Sequence, residues 1–186
     1  MKALSKQKRF PVVIFGWILP ILLVLVLLLF LCPLPFRKEF KCIEIKLDDP
    51  SYQRECTVRF DGKYRLNMFT DDSFEGKLQI DIYPETSEEA TRIQINKKHG
   101  NSLRWNRTTQ SGNEVYDLGL LHGSGLLGRF AICVLDKQAE STAAEWKEGG
   151  NWGSWSTTSG YCIVPNCSNY EDAVRYLSKM GIIPGN

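Results

Sequence analysis

Residues 12–31 form an uncharged run of twenty positions, seventeen of which are Val, Ile, Leu or Phe. A helix of that length rises about 30 Å, the hydrocarbon thickness of a bilayer. Each such side chain favours insertion by roughly 0.3–0.6 kcal/mol near the bilayer centre. Together they outweigh Gly16 and Pro20, and the run predicts a transmembrane helix over residues 11–32. Its exit, Phe30-Leu31-Cys32-Pro33-Leu34-Pro35, lacks the small residues of a signal-cleavage or lipoprotein site. The apolar core is also longer than the about 7–15 residues of a cleaved signal. An uncleaved anchor is expected.

Charge sets the expected topology. Lys2, Lys6, Lys8 and Arg9 precede the run with no acid among them, which suits a cytoplasmic tail over residues 1–10. Beyond the run stand 19 basic and 21 acidic residues, a formal −2. A nearly neutral domain lacks the basic stripe that nucleic acid requires, so no nucleic-acid partner is expected. Cysteines concentrated after the run fit an oxidising exterior. The expected order is a plasma-membrane anchor with the N-terminus inside, a juxtamembrane linker over residues 33–40, and an extracytoplasmic domain over residues 41–186.

That domain reads as mainly β. Short segments of β-branched and aromatic residues recur with turn signals between them, the pattern of an antiparallel sandwich-like fold. Phe130 to Leu135 is apolar without alternation and predicts a central strand covered on both faces. Cys56, Val58 and Phe60, then Tyr64, Leu66 and Met68, predict a hairpin turning at Phe60-Asp61-Gly62. A single C-terminal helix follows. Ser168 to Glu171 reads as a capping box with Ser168 as N-cap, Tyr170, Ala173, Val174 and Leu177 recur at helical spacing, and Gly181 ends the helix.

Few residues point to chemistry. Gly123-Ser124-Gly125-Leu126-Leu127-Gly128 spells G-x-G-x-x-G, yet a strand rather than a helix should follow it, so it reads as a hairpin connection and no cofactor is expected. Ser124 near His122 lacks the nucleophile elbow. No catalytic residue is therefore assigned. The six cysteines show no zinc spacing, so no metal is expected. Outside the cell, Cys42, Cys56, Cys162 and Cys167 are the candidate disulfide cysteines, and six cysteines allow fifteen connectivities. Asp71 to Glu75 reads as a solvated acidic turn leading into a strand. Trp146, Trp152, Trp155 and Tyr161 crowd one Gly-rich stretch; they read first as core or lid aromatics, and otherwise as the candidate partner- or ligand-binding residues, because Trp and Tyr dominate interface hot spots.

Four segments, Phe60 to Tyr64, Asp71 to Gly76, Gln79 to Tyr83 and Tyr170 to Val174, together resemble uncharacterised single-anchor membrane proteins of Gram-positive bacteria. That resemblance implies a β-rich outer part and a plasma membrane, and transfers no functional residue. The expected function is a membrane-anchored protein that binds a protein partner or envelope ligand, or serves an envelope complex as an accessory subunit. The alternative is a membrane-tethered hydrolase or cell-wall enzyme whose site leaves no sequence motif.

Overall fold

The computed structural model describes residues 18–25, 30, 32–67, 69–87, 91–95, 100–109, 112–135 and 155–185. Eight strands are laid down in order: β1 (Leu34–Lys46), β2 (Asp49–Arg65), β3 (Asp72–Ile80), β4 (Thr91–Ile95), β5 (Asn101–Thr109), β6 (Gly112–Gly123), β7 (Phe130–Val134) and β8 (Tyr161–Pro165). A helix over Tyr170–Lys179 follows β8. All strand pairs are antiparallel, in one sheet of order β4-β3-β2-β1-β8-β7-β6-β5.

The predicted antiparallel β-rich domain with one C-terminal helix is thus present. Instead of two facing sheets, however, one sheet coils until its edges nearly meet. β4 and β5 approach at the seam, where the Thr91 hydroxyl donates to the Arg104 carbonyl at 3.0 Å. Near-closure removes most of the exposed edge that an eight-stranded sheet would otherwise present.

Alternation along each strand sends one set of side chains into the barrel. Val58, Phe60 and Tyr64 of β2 meet Phe74, Leu78 and Ile80 of β3, Trp105 of β5, Leu118 of β6 and Ile132 of β7 in the interior. The outer faces of β1, β7 and β8 carry a second cluster. Ile43, Ile45, Ala131, Cys133, Cys162 and Val164 are covered there by Ala173, Leu177 and Ile182 of the helix and its tail. β7 is accordingly buried along its whole length, as its unbroken apolar run predicts.

The expected linker is part of the sheet. Residues 34–40 are the first half of β1, paired with β2 from Leu34↔Tyr64 to Phe40↔Val58. Phe36 is buried, which anchors this half to the interior. The expected hairpin at Asp61-Gly62 is likewise absent. β2 runs straight through it, and Gly62 lies opposite Gly76 of β3. These glycines answer a close approach between strands rather than a turn.

The helix begins one residue later than the capping box implies. Asn169 is the N-cap, and its side-chain oxygen accepts from the Asp172 N–H at 2.9 Å. Asn169→Ala should cost about 1 kcal/mol of stability, readable by urea denaturation. Gly181 ends the helix as predicted, at φ +71°. Its N–H donates to Ser178 and the Ile182 N–H to Leu177, the paired bonds of a Schellman motif. Two tyrosines dock the helix: the Tyr170 hydroxyl donates to the Leu47 carbonyl at 2.5 Å, and Tyr176 accepts from the Phe130 N–H at 3.1 Å.

Of the long apolar run, residues 18–25 are helical. No helix among the described residues is long and apolar enough to cross a membrane. The remaining positions of the run, apart from Phe30, lie outside the described residues.

Candidate functional site: a buried carboxyl among tyrosines

Glu44 is the only fully buried acid among the described residues. It sits on β1 between Ile43 and Ile45, which face outward beneath the helix. Strand alternation therefore turns Glu44 into the barrel. Tyr52, early on β2, donates its hydroxyl to Glu44 Oε2 at 2.9 Å. Tyr83 donates to Glu44 Oε1 in a short hydrogen bond.

Tyr83 is aimed inward by the 3₁₀ turn Pro84–Ser87. The Thr86 hydroxyl accepts from the Ile80 N–H at 2.8 Å and donates to the Tyr83 carbonyl at 2.7 Å, closing that corner. Tyr161 of β8 packs edge-on against Tyr52 with ring centroids 5.3 Å apart, and Lys46 Nζ lies 5.3 Å from the centroid of Tyr161. Tyr116 of β6 and Trp105 of β5 pack together at 5.9 Å. The Trp105 indole N–H is buried without an acceptor among the described residues.

Burial raises the Glu44 carboxyl above its ordinary value, and the two phenols and the Arg54 charge only partly oppose it. Glu44 acts back on its neighbours. Burial and then the Glu44 charge push the Tyr52 phenol up to about 12 and raise that of Tyr83 further. The Tyr116 phenol is raised by burial, then by Glu85 and Glu44. All three phenols therefore remain protonated donors at neutral pH. Chemically the group is a hydrogen-bonded carboxyl with two phenolic partners, of which Tyr52 is half-buried.

The residues singled out by sequence fall elsewhere. Trp155 is half-buried, and its indole donates to the Tyr161 carbonyl at 3.0 Å beside the helix cluster. Tyr161 is inside the barrel. Neither is a free aromatic surface: the Trp155 indole packs closely over Gly160, and Tyr161 is buried. Trp146 and Trp152 lie outside the described residues. His122 is half-buried against Gly100, and burial lowers its imidazole below the usual value. The Ser124 hydroxyl is directed at the Arg129 carbonyl at 3.3 Å, so no Ser–His pair forms. Gly123 ends β6, and the rest of the stretch to Gly128 lies in the connection to antiparallel β7, as expected.

Asp72 is not a solvated turn residue. It accepts from the Tyr64 hydroxyl and from the Asn67 N–H, each at 2.9 Å. Of the candidate disulfide cysteines, Cys42 faces Cys56 across β1 and β2. Cys162 faces Cys133 rather than Cys167. Among the described residues no three His, Cys, Asp or Glu side chains converge as a metal site.

One open groove, of about 410 Å³, runs along the outer side of the C-terminal helix. Tyr170, Val174 and Pro184 give it apolar walls, and Glu171, Arg175 and Ser178 supply polar ones. No family model matches the chain, and no curated protein or solved structure is significantly similar to it.

Proposed function

We propose that this chain is a membrane-tethered binding protein that holds a β-barrel at the outer surface of a plasma membrane. The observation that carries the tether is the helix over residues 18–25. Its seven large apolar side chains are each 51–71% exposed. A helix that is apolar on every face needs an apolar surrounding, and the flanking sequence continues the same composition. The run leads directly into Leu34, at the start of β1.

The loops at that end of the barrel support the same orientation. Phe69, between β2 and β3, is 94% exposed, and Leu126, between β6 and β7, is 41% exposed. Tyr64 ties the two loops together: its hydroxyl donates to Asp72 and accepts from the Leu126 N–H, both at 2.9 Å. Apolar side chains on loops beside an anchor suit the headgroup region. The groove along the helix, with its mixed walls, is the partner-facing surface in this reading. A closed carboxyl–phenol cluster inside the barrel fits a binding scaffold better than an open catalytic cleft.

The tether is tested by fractionation. The full chain should stay with membranes through high-salt and alkaline washing. Replacing Leu22 and Leu23 with Asp should release it, since each central acid costs about 2.5–3.5 kcal/mol of insertion. Retention of that variant would overturn the tether. A cysteine at position 186, in a chain with Cys32 and Cys167 replaced by serine, should label with an impermeant maleimide on intact cells. Labelling only after lysis would reverse the topology. For binding, in-membrane crosslinking should capture partners that Arg175→Glu or Trp152→Ala loses. Capture unchanged by both would exclude both Arg175 and Trp152 as partner contacts.

A further inference from the structure

The register of the sheet sets four of the six cysteines in two facing pairs: Cys42 on β1 opposite Cys56 on β2, and Cys133 on β7 opposite Cys162 on β8. Directly opposed residues in antiparallel strands have Cα atoms about 4.5–5.5 Å apart. A disulfide requires roughly 4.4–6.8 Å. From this register we infer that the protein carries two disulfide sites, Cys42–Cys56 and Cys133–Cys162, with Cys32 and Cys167 left as thiols.

Each pair also shares a face. Cys42 and Cys56 both belong to the interior cluster, and Cys133 and Cys162 both lie beneath the helix. The Cys56 thiol is pushed up by the Cys42 thiol against it and by burial, and Cys133 is pushed up by Cys162 and burial in the same way. Reduced pairs in the finished fold are therefore thiols in contact, with little thiolate to react. The bonds form as the strands pair, before the interior and the helix seal them. A disulfide-bearing oxidant is the co-reactant. One thiolate attacks it to give a mixed disulfide and release one thiol. The second thiolate then displaces the other thiol, so that each site loses two protons and two electrons to the oxidant.

The two bonds would staple β1 to β2 and β7 to β8, on either side of the β1–β8 pairing where the chain's first and last strands meet. One lies inside the barrel and the other outside it, so neither substitutes for the other. The second closes the longer loop, through the β7–β8 connection, and so constrains the unfolded chain more.

Peptide mapping decides this on the full chain. The protein in detergent micelles is unfolded, refolded in mixed oxidised and reduced glutathione, trapped with N-ethylmaleimide and cleaved with trypsin. Cleavage after Lys41, Lys46, Arg54 and Arg59 separates Cys42 from Cys56, and cleavage after Arg129, Lys137, Lys147 and Arg175 separates Cys133 from a peptide holding both Cys162 and Cys167. The expected result is a link between peptides 42–46 and 55–59, and another between 130–137 and 148–175, with fragmentation placing the latter's one maleimide on Cys167; a maleimide on Cys162 instead would overturn the second site. Reduction should then lower Tm by about 10 °C per bond. A link inside peptide 148–175 with Cys133 alkylated would overturn the second site. Alkylation of Cys42 and Cys56 would overturn the first. Mapping in a glutathione buffer tests the pairing independently of the membrane topology proposed above.

Discussion

Gly62→Ala is expected to unfold the barrel or to destabilise it by more than about 4 kcal/mol, the range reserved for gross misfit. An added Cβ would stand 2.3 Å from the Glu75 carbonyl oxygen and 2.7 Å from the Gly76 Cα. Both are backbone atoms of β3, so no side chain can swing aside. Gly76→Ala meets the mirror problem, at 2.4 Å from the Asp61 carbonyl oxygen and 2.5 Å from the Gly62 Cα. The strands would have to part where Gly62 and Gly76 face each other. The same two glycines leave room for Phe36, whose ring centroid lies 6.1 Å from Phe60, 5.5 Å from Tyr64 and 6.1 Å from Phe74. Glycine kinks with an aromatic ring laid over them are one way a sheet closes into a barrel. Gly128 supplies the contrast. Its φ of −63° suits any residue and its nearest atom is 3.6 Å away, so Gly128→Ala should be neutral or stabilise by up to about 1 kcal/mol. Thermal unfolding of the three variants checks this, and similar Tm values for all three would remove the close-approach account.

That pair of glycines also shows what sequence patterning reads and what it misses. The alternation of Cys56, Val58 and Phe60, and of Tyr64 and Leu66, correctly marks extended chain with one face inward. It cannot say whether Asp61-Gly62 turns the chain, because a glycine demanded by a turn and one demanded by a neighbouring strand look alike in one dimension. The helix signals survive because they are local. The cap at Asn169, one residue past the predicted Ser168, and the stop at Gly181 each act within about a single turn of their own end of the helix.

Glu44 is the clearest miss, and its cause is geometric. In Cys42-Ile43-Glu44-Ile45-Lys46 the period of two places isoleucine on one face and polar residues on the other, which reads as core inside and solvent outside. Here both faces are buried. The C-terminal helix, more than a hundred residues later in the chain, covers the isoleucines, and so the glutamate faces the interior. A signal did exist in the tyrosines at 52, 83, 116 and 161, four phenols in a small domain that each need a polar partner once buried. Nothing in the sequence says that they converge. The facing of Cys133 and Cys162 was hidden for the same reason, since β7 and β8 are joined through a long connection whose length fixes no register.

Glu44→Leu is expected to cost about 2–5 kcal/mol, or some 5–15 °C in Tm, by leaving the buried Tyr83 hydroxyl without its acceptor in an imperfectly filled space. Tyr52, half-buried, can turn to water and contributes less. Removing both partners should be milder than removing one: Glu44→Leu with Tyr83→Phe is expected to recover much of the loss, because two apolar groups leave no orphan. A double variant as unstable as the single one would show that the carboxyl–phenol bond is not what Glu44 contributes. The charge gives a second, separable signature. Burial raises the folded carboxyl above its unfolded value, so between the two values the folded state holds the proton more tightly. Stability from this group is complete below the unfolded carboxyl range and is lost as pH rises through the folded value. Glu44→Gln cannot titrate. Relative to it, the native chain should lose Tm as pH is raised from about 4.5 towards neutrality. The comparison cancels other titrations, including that of His122, whose lowered value acts in the opposite sense by losing stability as pH falls. Parallel Tm curves for the two proteins would mean that Glu44 keeps an ordinary carboxyl despite its burial. A falling difference would identify the barrel interior as the place where this protein feels pH.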